Sequence, residues 1–561
     1  MKKNKVFKKN LDLFVKRYPY FIFFKDFVTL PKKNKKKKNF SFLNLKDKEV
    51  VYVYGLEIND MYFFLKRWIE KKNRDLIFIE EDKDNFFLFL QEEEAYEIIK
   101  NPNIHIYFKY EDEDLFLDKI IRNFPLNKIE ILNNSEEKKF LKIKEKILRK
   151  VVYHSASFVD SLYSYMNFKN FKENIKKLNK SFFVNSLKDK FKNIPIIICG
   201  AGTSLEKNID LLKKLDNKAL IIAGGSAITA LSYHNVFPHF GVVIDPNLEE
   251  FERMKKSTFF EIPILYTTRV HKDVLTAFNG ALGYFKSSAG GIEAKWIEDR
   301  LNIKGELIDK KLDREAFSVT TMNLAIAKFL GGNPIILCGV DLSYNEGRRY
   351  CSGVVSNNFF SKNKDLKDCG DIIFEKNNVK GKKVKTNLRW IMEADSISSY
   401  IKNFKNLNII NVSEGIELRG AENRSLKDIF KIFKEEIDLK GYIHNLINDS
   451  YLNLDVKKFF FEIKKSFLRS KKNVFNILKE IKKIIDNKEF ERENSSGIIL
   501  EEFELEREVA YNYFLKEAKD AFIRYLHRYY KPFNEGFKKK DHWNMRYDYW
   551  KGIYSIIKKY N

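Results

Sequence analysis

A short turn rich in glycine and serine follows an apolar run near the middle of the chain. The segment IIICGAGTSL, residues 196–205, places Gly200, Gly202 and Ser204 directly after residues suited to a buried strand. Glycine lets backbone amides approach a phosphate closely, and a serine hydroxyl can cap the next helix or bind the ligand. The pattern predicts a phosphate-binding turn, although many strand–helix turns need glycine for geometry alone.

The next apolar run ends in a second turn of the same kind. The segment AGGSAITAL supplies Gly224, Gly225 and Ser226 ahead of a predicted helix. A further turn, KSSAGG at residues 286–291, includes Ser288. Ligands of open α/β sheets lie beyond the carboxyl ends of the strands, so we expect these turns to share one ligand.

Two aspartates and two arginines stand at other predicted strand ends. Asp245 ends the run FGVVID, and Asp341 follows NPIILCGV. Either carboxylate can act as a general base, hold a metal ion or accept a hydrogen bond from a sugar hydroxyl. Arg348 and Arg349 follow Asp341, and guanidinium groups bind phosphate through paired hydrogen bonds. We predict a catalytic role for Asp245 and Asp341 and a donor-binding role for Arg348 and the turns.

The sequence lacks the patterns of several other protein classes. Its eight histidines and four cysteines have no metal-ligand spacing, and no Walker lysine, nucleophile elbow or HExxH motif occurs. His234 and His239 flank a turn before the third strand, where structural roles are more common than catalytic ones. We therefore predict no metal ligands.

Charge and hydropathy set the expected location and partners. The net charge of +26 suggests nucleic acid, but the lysines are spread along the chain and no RNA-binding signature, zinc finger or basic helix accompanies them. No apolar run of about 18 residues predicts a membrane span, and lysines near the N terminus argue against a signal peptide. We expect a cytoplasmic protein that binds no nucleic acid and does not span a membrane.

The N-terminal region, residues 1–170, is predicted to hold a basic arm and a Rossmann-like domain. The lysine run at residues 31–40 is typical of a solvated arm, and residues 49–90 show a strand–helix–strand–helix pattern. The first turn of that pattern, Gly55-Leu56-Glu57, has one glycine and a carboxylate where a pyrophosphate would lie. Such a turn disfavours phosphate, so we expect this domain to bind no nucleotide.

Two further domains are predicted. Residues 171–424 alternate helical patterns with apolar runs, which indicates a doubly wound parallel sheet, and residues 425–561 show helical spacing only, with aromatic stripes typical of a core. The chain is therefore predicted to be a multidomain α/β protein with an all-α C-terminal domain. The expected strands of the central sheet are residues 194–200, 218–225, 240–245, 262–268, 281–288, 333–341 and 407–413.

At these motifs the sequence resembles a known family. CGAGTSL, AGGSAITAL with FPHFGVVIDP, and SVTTMNLAIAKFLGGNPIILCGVDLSYNEGRRYCSG are similar to segments of the motility-associated factor (Maf) glycosyltransferases, whose central domain is MptE-like (DUF115). GKKVKTNLRWIMEADSISSYI and INVSEGIELRGAE extend the resemblance across about residues 175–425. Two departures stand out: Thr203 replaces the usual proline or smaller residue, and Tyr350 replaces a usual histidine.

The resemblance implies an activity and a fold. A nonulosonic acid of the pseudaminic or legionaminic type would pass from its CMP-sugar to Ser or Thr of flagellin, as flagellar assembly and motility require. The central domain would be similar to bacterial sialyltransferases, with Gly200, Gly202 and Ser204 as nucleotide binders. No cofactor is required beyond the CMP-sugar donor, and Mg²⁺ is compatible.

Two alternatives stay open at this point. An MptE-like pyrophosphokinase acting on a pterin would use Asp245 and Asp341 as Mg²⁺ ligands. A non-catalytic flagellin-binding protein would need neither carboxylate for chemistry.

Overall fold

The computed structural model describes most of the chain. The described residues are 2–19, 21, 45–55, 58–109, 112–126, 128–132, 138–162, 164–313, 318–354, 371–404, 407–433, 436–492, 494–531 and 538–560. The lysine run at 31–40 and the turn residues Leu56 and Glu57 lie outside them. The solvated arm and the phosphate-excluding turn therefore stay predictions.

The N-terminal part is a parallel sheet with helices on both faces. Its strands are β1 (Val50–Tyr54), β2 (Asp75–Glu80), β3 (Ile104–Phe108) and β4 (Ile129–Leu132), in the order β3-β2-β1-β4. The helices are α1 (Lys2–Arg17), α2 (Ile58–Ile69), α3 (Lys83–Leu90), α4 (Ala95–Lys100), α5 (Glu113–Arg122) and α6 (Lys138–Leu162). Alternate residues of β1 enter separate cores, as burial on both faces requires. The Rossmann-like prediction is confirmed at the level of fold.

The central sheet is larger and also parallel throughout. Its strands are β5 (Phe182–Phe183), β6 (Ile196–Cys199), β7 (Leu220–Gly224), β8 (Phe240–Val243), β9 (Ile264–Tyr266), β10 (Leu282–Tyr284), β11 (Ile335–Cys338), β14 (Ile409–Asn411) and β15 (Glu422–Asn423). Their order is β15-β14-β11-β6-β7-β8-β9-β10-β5. All seven predicted strands form, each shorter than its apolar run. The chain runs from β6 toward β7 and later returns to the other side of β6 with β11, so the topological switch point lies between β6 and β11.

Helices and one hairpin surround this sheet. The helices are α7 (Ser164–Asn174), α8 (Ile209–Leu212), α9 (Ser226–Tyr233), α10 (Leu248–Met254), α11 (Lys272–Ala277), α12 (Gly291–Arg300), α13 (Val319–Leu330) and α14 (Leu388–Lys402). The antiparallel hairpin of β12 (Ile373–Asn377) and β13 (Lys383–Asn387) was not predicted. Its residues are mostly exposed and polar, so no apolar run signals them.

The C-terminal part is helical, as predicted. It comprises α15 (Leu426–Ile429), α16 (Leu439–Asn448), α17 (Lys457–Asp486), α18 (Ser496–Glu506), α19 (Lys516–Tyr530) and α20 (Lys539–Tyr560). Its aromatic rings fill a core shared with the central sheet: Phe168 of α7 contacts Phe467, Phe514 and Tyr560, with ring centroids 4.5–4.9 Å apart. In the described part of the chain, no helix is both long and apolar enough to cross a membrane.

Candidate active site

The predicted site residues fall into three groups along the carboxyl edge of the central sheet. Gly200, Gly202, Ser204 and Asp341 meet at the switch point between β6 and β11. Gly224, Gly225, Ser226 and Asp245 follow β7 and β8. Ser288 lies beyond β10, and Arg348 lies on the loop after β11.

The turn after β6 is occupied by the Asp341 carboxylate. Its Oδ2 accepts hydrogen bonds from the Ser204 amide at 2.9 Å and from Asn345 Nδ2 at 2.9 Å, and its Oδ1 accepts one from the Ser204 hydroxyl at 2.5 Å. The Thr203 hydroxyl and the Glu414 amide also donate to it. Asp341 is buried and joins the loops that follow β6, β11 and β14.

The glycines of this turn are explained by close approach of the chain to itself. A Cβ at Gly200 would lie 2.4 Å from the carbonyl oxygen of Gly339, and one at Gly202 would lie 2.5 Å from Asp341 Oδ2. The backbone approach predicted from the glycine pattern is therefore present, but its partner is the Gly339–Asp341 segment. With five donors on its two oxygens, Asp341 joins the loops that form this edge, and the catalytic role that we predicted for it stays a prediction.

Arg348 and Ser288 also bind partners within the protein. Both terminal nitrogens of Arg348 donate to the Glu206 carboxylate at 3.2 Å, where Ser352 donates as well. Burial raises the pKa of Glu206, but these donors outweigh it and bring the pKa to about 2. The amide and hydroxyl of Ser288 donate to Asp309. Arg348 and Ser288 could bind the sugar donor only if these contacts broke. Their donor-binding roles stay predictions.

The turns after β7 and β8 adjoin a cluster of charged side chains, Asp245, Glu250 and Arg253, which we call the crevice. Gly225 has a φ of +49°, and a Cβ there would lie 3.6 Å from Glu250 Oε1. Arg253 donates to Glu250 Oε2 at 2.6 Å and lies 3.5 Å from Asp245 Oδ2. The Ser226 hydroxyl, at the start of α9, has no hydrogen-bond partner among the described residues. Gly224 packs against Val319 of α13.

The two carboxyl groups of this crevice resist ionisation. The Asp245 side chain is 48% exposed, and burial of its carboxyl raises the pKa against the opposing charges of Arg253 and Arg269. Glu250 lies beneath it, almost fully buried. Burial, and then the neighbouring charge of Asp245, raise the pKa of Glu250 to about 7.

Arg349 brings an uncommitted cation to the same edge. Its guanidinium carbon lies 5.1 Å from the centre of the Tyr350 ring and 5.3 Å from that of the Trp390 ring. Tyr350 is also close enough to Arg253 to affect its pKa electrostatically. Arg349 Nε is buried without a hydrogen-bond partner, and Arg349 forms no ion pair with any described carboxylate. Stacking on aromatic rings fixes a guanidinium while leaving its N–H groups available to an anion.

A second group of charges extends the crevice toward the C-terminal helices. Arg269, after β9, forms an ion pair with Asp160 of α6. Burial raises the pKa of Glu293 to about 7, and the charges of Arg269, Glu517 and Asp160 act on it. Two asparagines of α7 hold the loops in place: Asn170 donates to the carbonyls of Pro246 and Arg269, and Asn174 to those of Thr268 and Val270.

Several of these residues were missed by sequence reasoning. Glu250 and Arg253 are one helical turn apart on α10, directly after the Asp245 loop, and that i,i+3 pair was an available signal. Arg349 was noted only beside Arg348. His239 precedes β8 at the opposite edge, where its Nδ1 accepts from the Ile221 amide and burial lowers its pKa to about 4, so it has a structural role.

The central part of the chain matches a known protein family. Residues 169–347 match the family model for 6-hydroxymethylpterin diphosphokinase MptE-like proteins. The central sheet carries an MptE-like domain. This domain contains β5 to β11, and with them both glycine turns, Asp245, Glu250 and Arg253. The match confirms the MptE-like part of the resemblance and covers less than half of the chain.

Whole-chain comparisons add less. A solved structure of a MAf glycosyltransferase from Magnetospirillum magneticum AMB-1 is similar at 14% identity, over 91% of this chain and 78% of that one, with a TM-score of 0.46. Similarity at this level assigns no activity to the chain. No curated protein shows significant similarity to it.

Proposed function

We propose that this chain is a glycosyltransferase that moves a nonulosonic acid from a CMP-sugar to Ser or Thr hydroxyls of flagellin. The observation that carries the proposal is the Asp245–Glu250–Arg253 cluster at the carboxyl edge of the MptE-like domain. The cluster sets two proton-accepting carboxyls beside a cation, on the edge where open α/β sheets bind ligands. The ordered Maf-like motifs in the sequence support the choice of donor and acceptor.

The carboxyl pair suits the activation of a hydroxyl acceptor. The acceptor O–H gives its proton to the Asp245–Glu250 pair as its oxygen forms a bond to the anomeric carbon. The bond from that carbon to the phosphate oxygen breaks, and its electron pair leaves with CMP. Burial raises the pKa of both carboxyls, that of Glu250 to about 7, and a base in that range combines partial ionisation at pH 7 with useful basicity. Asp245 is the open member and meets the acceptor, while Glu250 shares the charge from below.

The departing phosphate needs cations and amides. Arg349 replaces Arg348 as our choice for this role, because Arg348 is committed to Glu206 and Arg349 is not. Arg253 donates to Glu250 and lies 3.5 Å from Asp245, so it brings a positive charge that can balance the charge that develops on the phosphate. The Gly225–Ser226 turn supplies backbone amides and a hydroxyl on the same side of the crevice.

A pterin diphosphokinase is the second candidate, because the matching family model carries that description. That chemistry uses Mg²⁺ held by carboxylates. Asp341 does not fit a Mg²⁺ ligand, because five hydrogen-bond donors already occupy its oxygens. Asp245 keeps an accessible carboxylate that could serve either reaction.

The two candidates separate in one set of assays on the purified full chain. We expect incubation with a CMP-activated nonulosonic acid and recombinant flagellin to raise the intact mass of flagellin by whole sugar residues. Incubation with ATP, Mg²⁺ and 6-hydroxymethyl-7,8-dihydropterin should release no AMP. AMP release without any mass increase in flagellin would establish the diphosphokinase instead.

Matched variants tie the activity to the crevice. Asp245→Asn should reduce transfer by about 10²-fold or more, the usual scale of general-base catalysis. Asp216→Asn is the control, since Asp216 is similarly exposed, pairs with Lys440, and precedes β7 at the opposite edge. Equal activity of the two variants would remove Asp245 from the mechanism.

A further inference from the structure

The outer face of α17 carries an apolar stripe whose side chains are more than half exposed, although the ring of Phe475 also lies 6.1 Å from that of Tyr554 on α20. Phe461, Leu468 and Phe475 are 62%, 51% and 52% exposed. They stand seven residues apart, so they form one line about 21 Å long on the helix surface. The opposite face of α17 is buried against α18 and α20. The stripe is therefore additional to the residues that hold the helical region together.

Lysines border this stripe on both sides. Each apolar residue of the stripe is preceded by two lysines, one four positions and one three positions before it. The lysines form two rows: Lys457, Lys464 and Lys471 on one side, and Lys458, Lys465, Lys472 and Lys479 on the other. Among the described residues, none of these side chains forms an ion pair with a carboxylate. Lys465 instead lies over the Phe461 ring, 4.3 Å from its centre.

This arrangement is unfavourable for an isolated helix. Like charges at i,i+3 and i,i+4 spacing repel, and Lys457 and Lys458 oppose the helix dipole in a first turn that contains no acid. The lysine-rich composition of the chain makes exposed lysines common. It does not account for two rows of lysines, without ion pairs to described carboxylates, that border large apolar residues at seven-residue spacing.

We propose that this face is a docking seam for an amphipathic helix of a partner protein, one whose apolar stripe is bordered by carboxylates. Seven residues are close to two helical turns, so a residue at every seventh position stays on one face of α17, where a helix lying alongside can contact all three. Rows of lysine beside the seam match rows of Asp or Glu on the partner, as e and g positions do in coiled coils. The proposal is independent of the reaction proposed for the crevice.

Two other occupants fit the seam less well. A second copy of this chain would place α17 against α17, with lysine facing lysine. An anionic lipid surface favours a broad apolar face that can sink below the headgroups. Here the apolar line is one residue wide, and lysines adjoin it on both sides.

Synthetic probes test the seam on the full chain. The first probe is a lactam-bridged three-heptad helix with Leu at its a and d positions and Glu at e and g, and the second has Lys in place of each Glu. We expect the Glu probe to bind, with an affinity that falls as salt rises, and the Lys probe not to bind. Sedimentation with phosphatidylserine vesicles forms a third arm. Binding to vesicles without binding to the Glu probe would overturn the proposal in favour of a membrane surface.

Matched variants separate the seam from general basicity. Leu468→Glu should weaken binding of the Glu probe about tenfold or more, as loss of a central apolar contact does. Leu500→Glu is the control, since Leu500 is 64% exposed on α18 and lies outside the stripe. Both side chains face water, so thermal midpoints should stay unchanged. Equal probe affinity for the two variants would contradict the seam.

Charge reversal gives an independent result. We expect the triple variant Lys458→Glu, Lys465→Glu and Lys472→Glu to bind the Lys probe and no longer to bind the Glu probe. A control that reverses Lys427 and Lys431, which are exposed outside α17, should keep the original preference. If this control lost the Glu probe to the same extent, the net charge of the chain would explain binding and the seam would not.

Discussion

The turns after β6 and β7 look alike in sequence and differ in what fills them. Each follows a buried strand and combines glycines with a serine. The turn after β6 is closed by the Asp341 carboxylate, which accepts from Ser204 through both its amide and its hydroxyl. In the turn after β7, a Cβ at Gly225 would lie at an ordinary contact distance of 3.6 Å from Glu250 Oε1, and the hydroxyl of Ser226 has no partner among the described residues. A glycine in such a turn thus indicates that something lies close to the backbone. The sequence does not show whether that neighbour is another segment of the chain or a ligand.

The carboxylates near the two turns differ in the same way. Asp341 is buried, and five hydrogen-bond donors satisfy its two oxygens within the protein. Asp245 is open on one side, and its surroundings raise its pKa. Perturbed acids at a cleft are a common feature of catalytic sites. The comparison therefore favours a structural role for the first turn, and it makes the second turn the place where the proposed chemistry is tested.

The largest expected effect is a loss of stability when a side chain is added to the turn after β6. Gly202→Ala would place a Cβ 2.5 Å from Asp341 Oδ2 and 2.7 Å from the Gly339 carbonyl oxygen. Because the chain must move there, we expect a loss of more than about 3 kcal/mol in the free energy of unfolding, or failure to fold. Ser226→Ala should stay within about 0.5 kcal/mol of the parent. Urea unfolding of the two variants tests this contrast. Similar losses in the free energy of unfolding would show that the two turns do not differ in this way.

Exchanging the two aspartates for asparagine should separate stability from activity. Asp341→Asn leaves buried donors such as the Ser204 and Glu414 amides with a poorer acceptor, so we expect a loss of about 2–4 kcal/mol. Asp245→Asn should keep the thermal midpoint close to that of the parent and lose transfer activity. Calorimetry and the flagellin mass assay measure both properties. A stable, inactive Asp341→Asn protein would return the catalytic role to Asp341.

The neighbouring arginines give a smaller contrast in ligand affinity. Arg349→Ala should weaken CMP binding about tenfold, because one charge-assisted contact to phosphate contributes on the order of 1.5 kcal/mol or more. Arg348→Ala should lose the Glu206 ion pair and leave CMP affinity nearly unchanged. Isothermal titration with CMP distinguishes them. The reverse order of affinities would place the phosphate on the β6 side.

The smallest expected effect is a dependence of stability on pH. The pKa of Glu250 is raised from 4.5 to about 7, so the folded state holds more protons than the unfolded state between these values. This contribution is fully present below pH 4.5 and is lost as the pH rises through 7. The thermal midpoint of the parent should therefore fall, relative to that of Glu250→Gln, between pH 5 and about 8. Parallel curves for the two proteins would show that Glu250 titrates normally.

Much of the fold was predictable because its strands are buried on both faces. Such strands read as short apolar runs, as in residues 196–199 and 335–338, and every run that was interpreted as a central strand became one. The β12–β13 hairpin escaped because it lies at the surface and alternates polar residues such as Lys383 and Lys385. The edge strand β15 consists of only two exposed residues, Glu422 and Asn423, and gives no apolar signal.

The site was predictable only in part, because its contacts join distant segments. Asp245 and the Gly225 turn could be placed at one edge from strand ends alone. Nothing local shows that Asp341 reaches back across more than a hundred residues to Ser204. Arg348 and Arg349 are adjacent and chemically identical in sequence. Only the positions of Glu206 and Trp390, each on another segment, decide which guanidinium is committed.

A crystal structure of the full chain with CMP bound tests the central claim most directly. We predict that the phosphate lies in the crevice after β7 and β8, within hydrogen-bonding distance of the Arg349 or Arg253 guanidinium, with the Asp341 carboxylate still bound to Ser204. A phosphate bound to the Ser204 amide, with Asp341 displaced from the turn, would contradict the account.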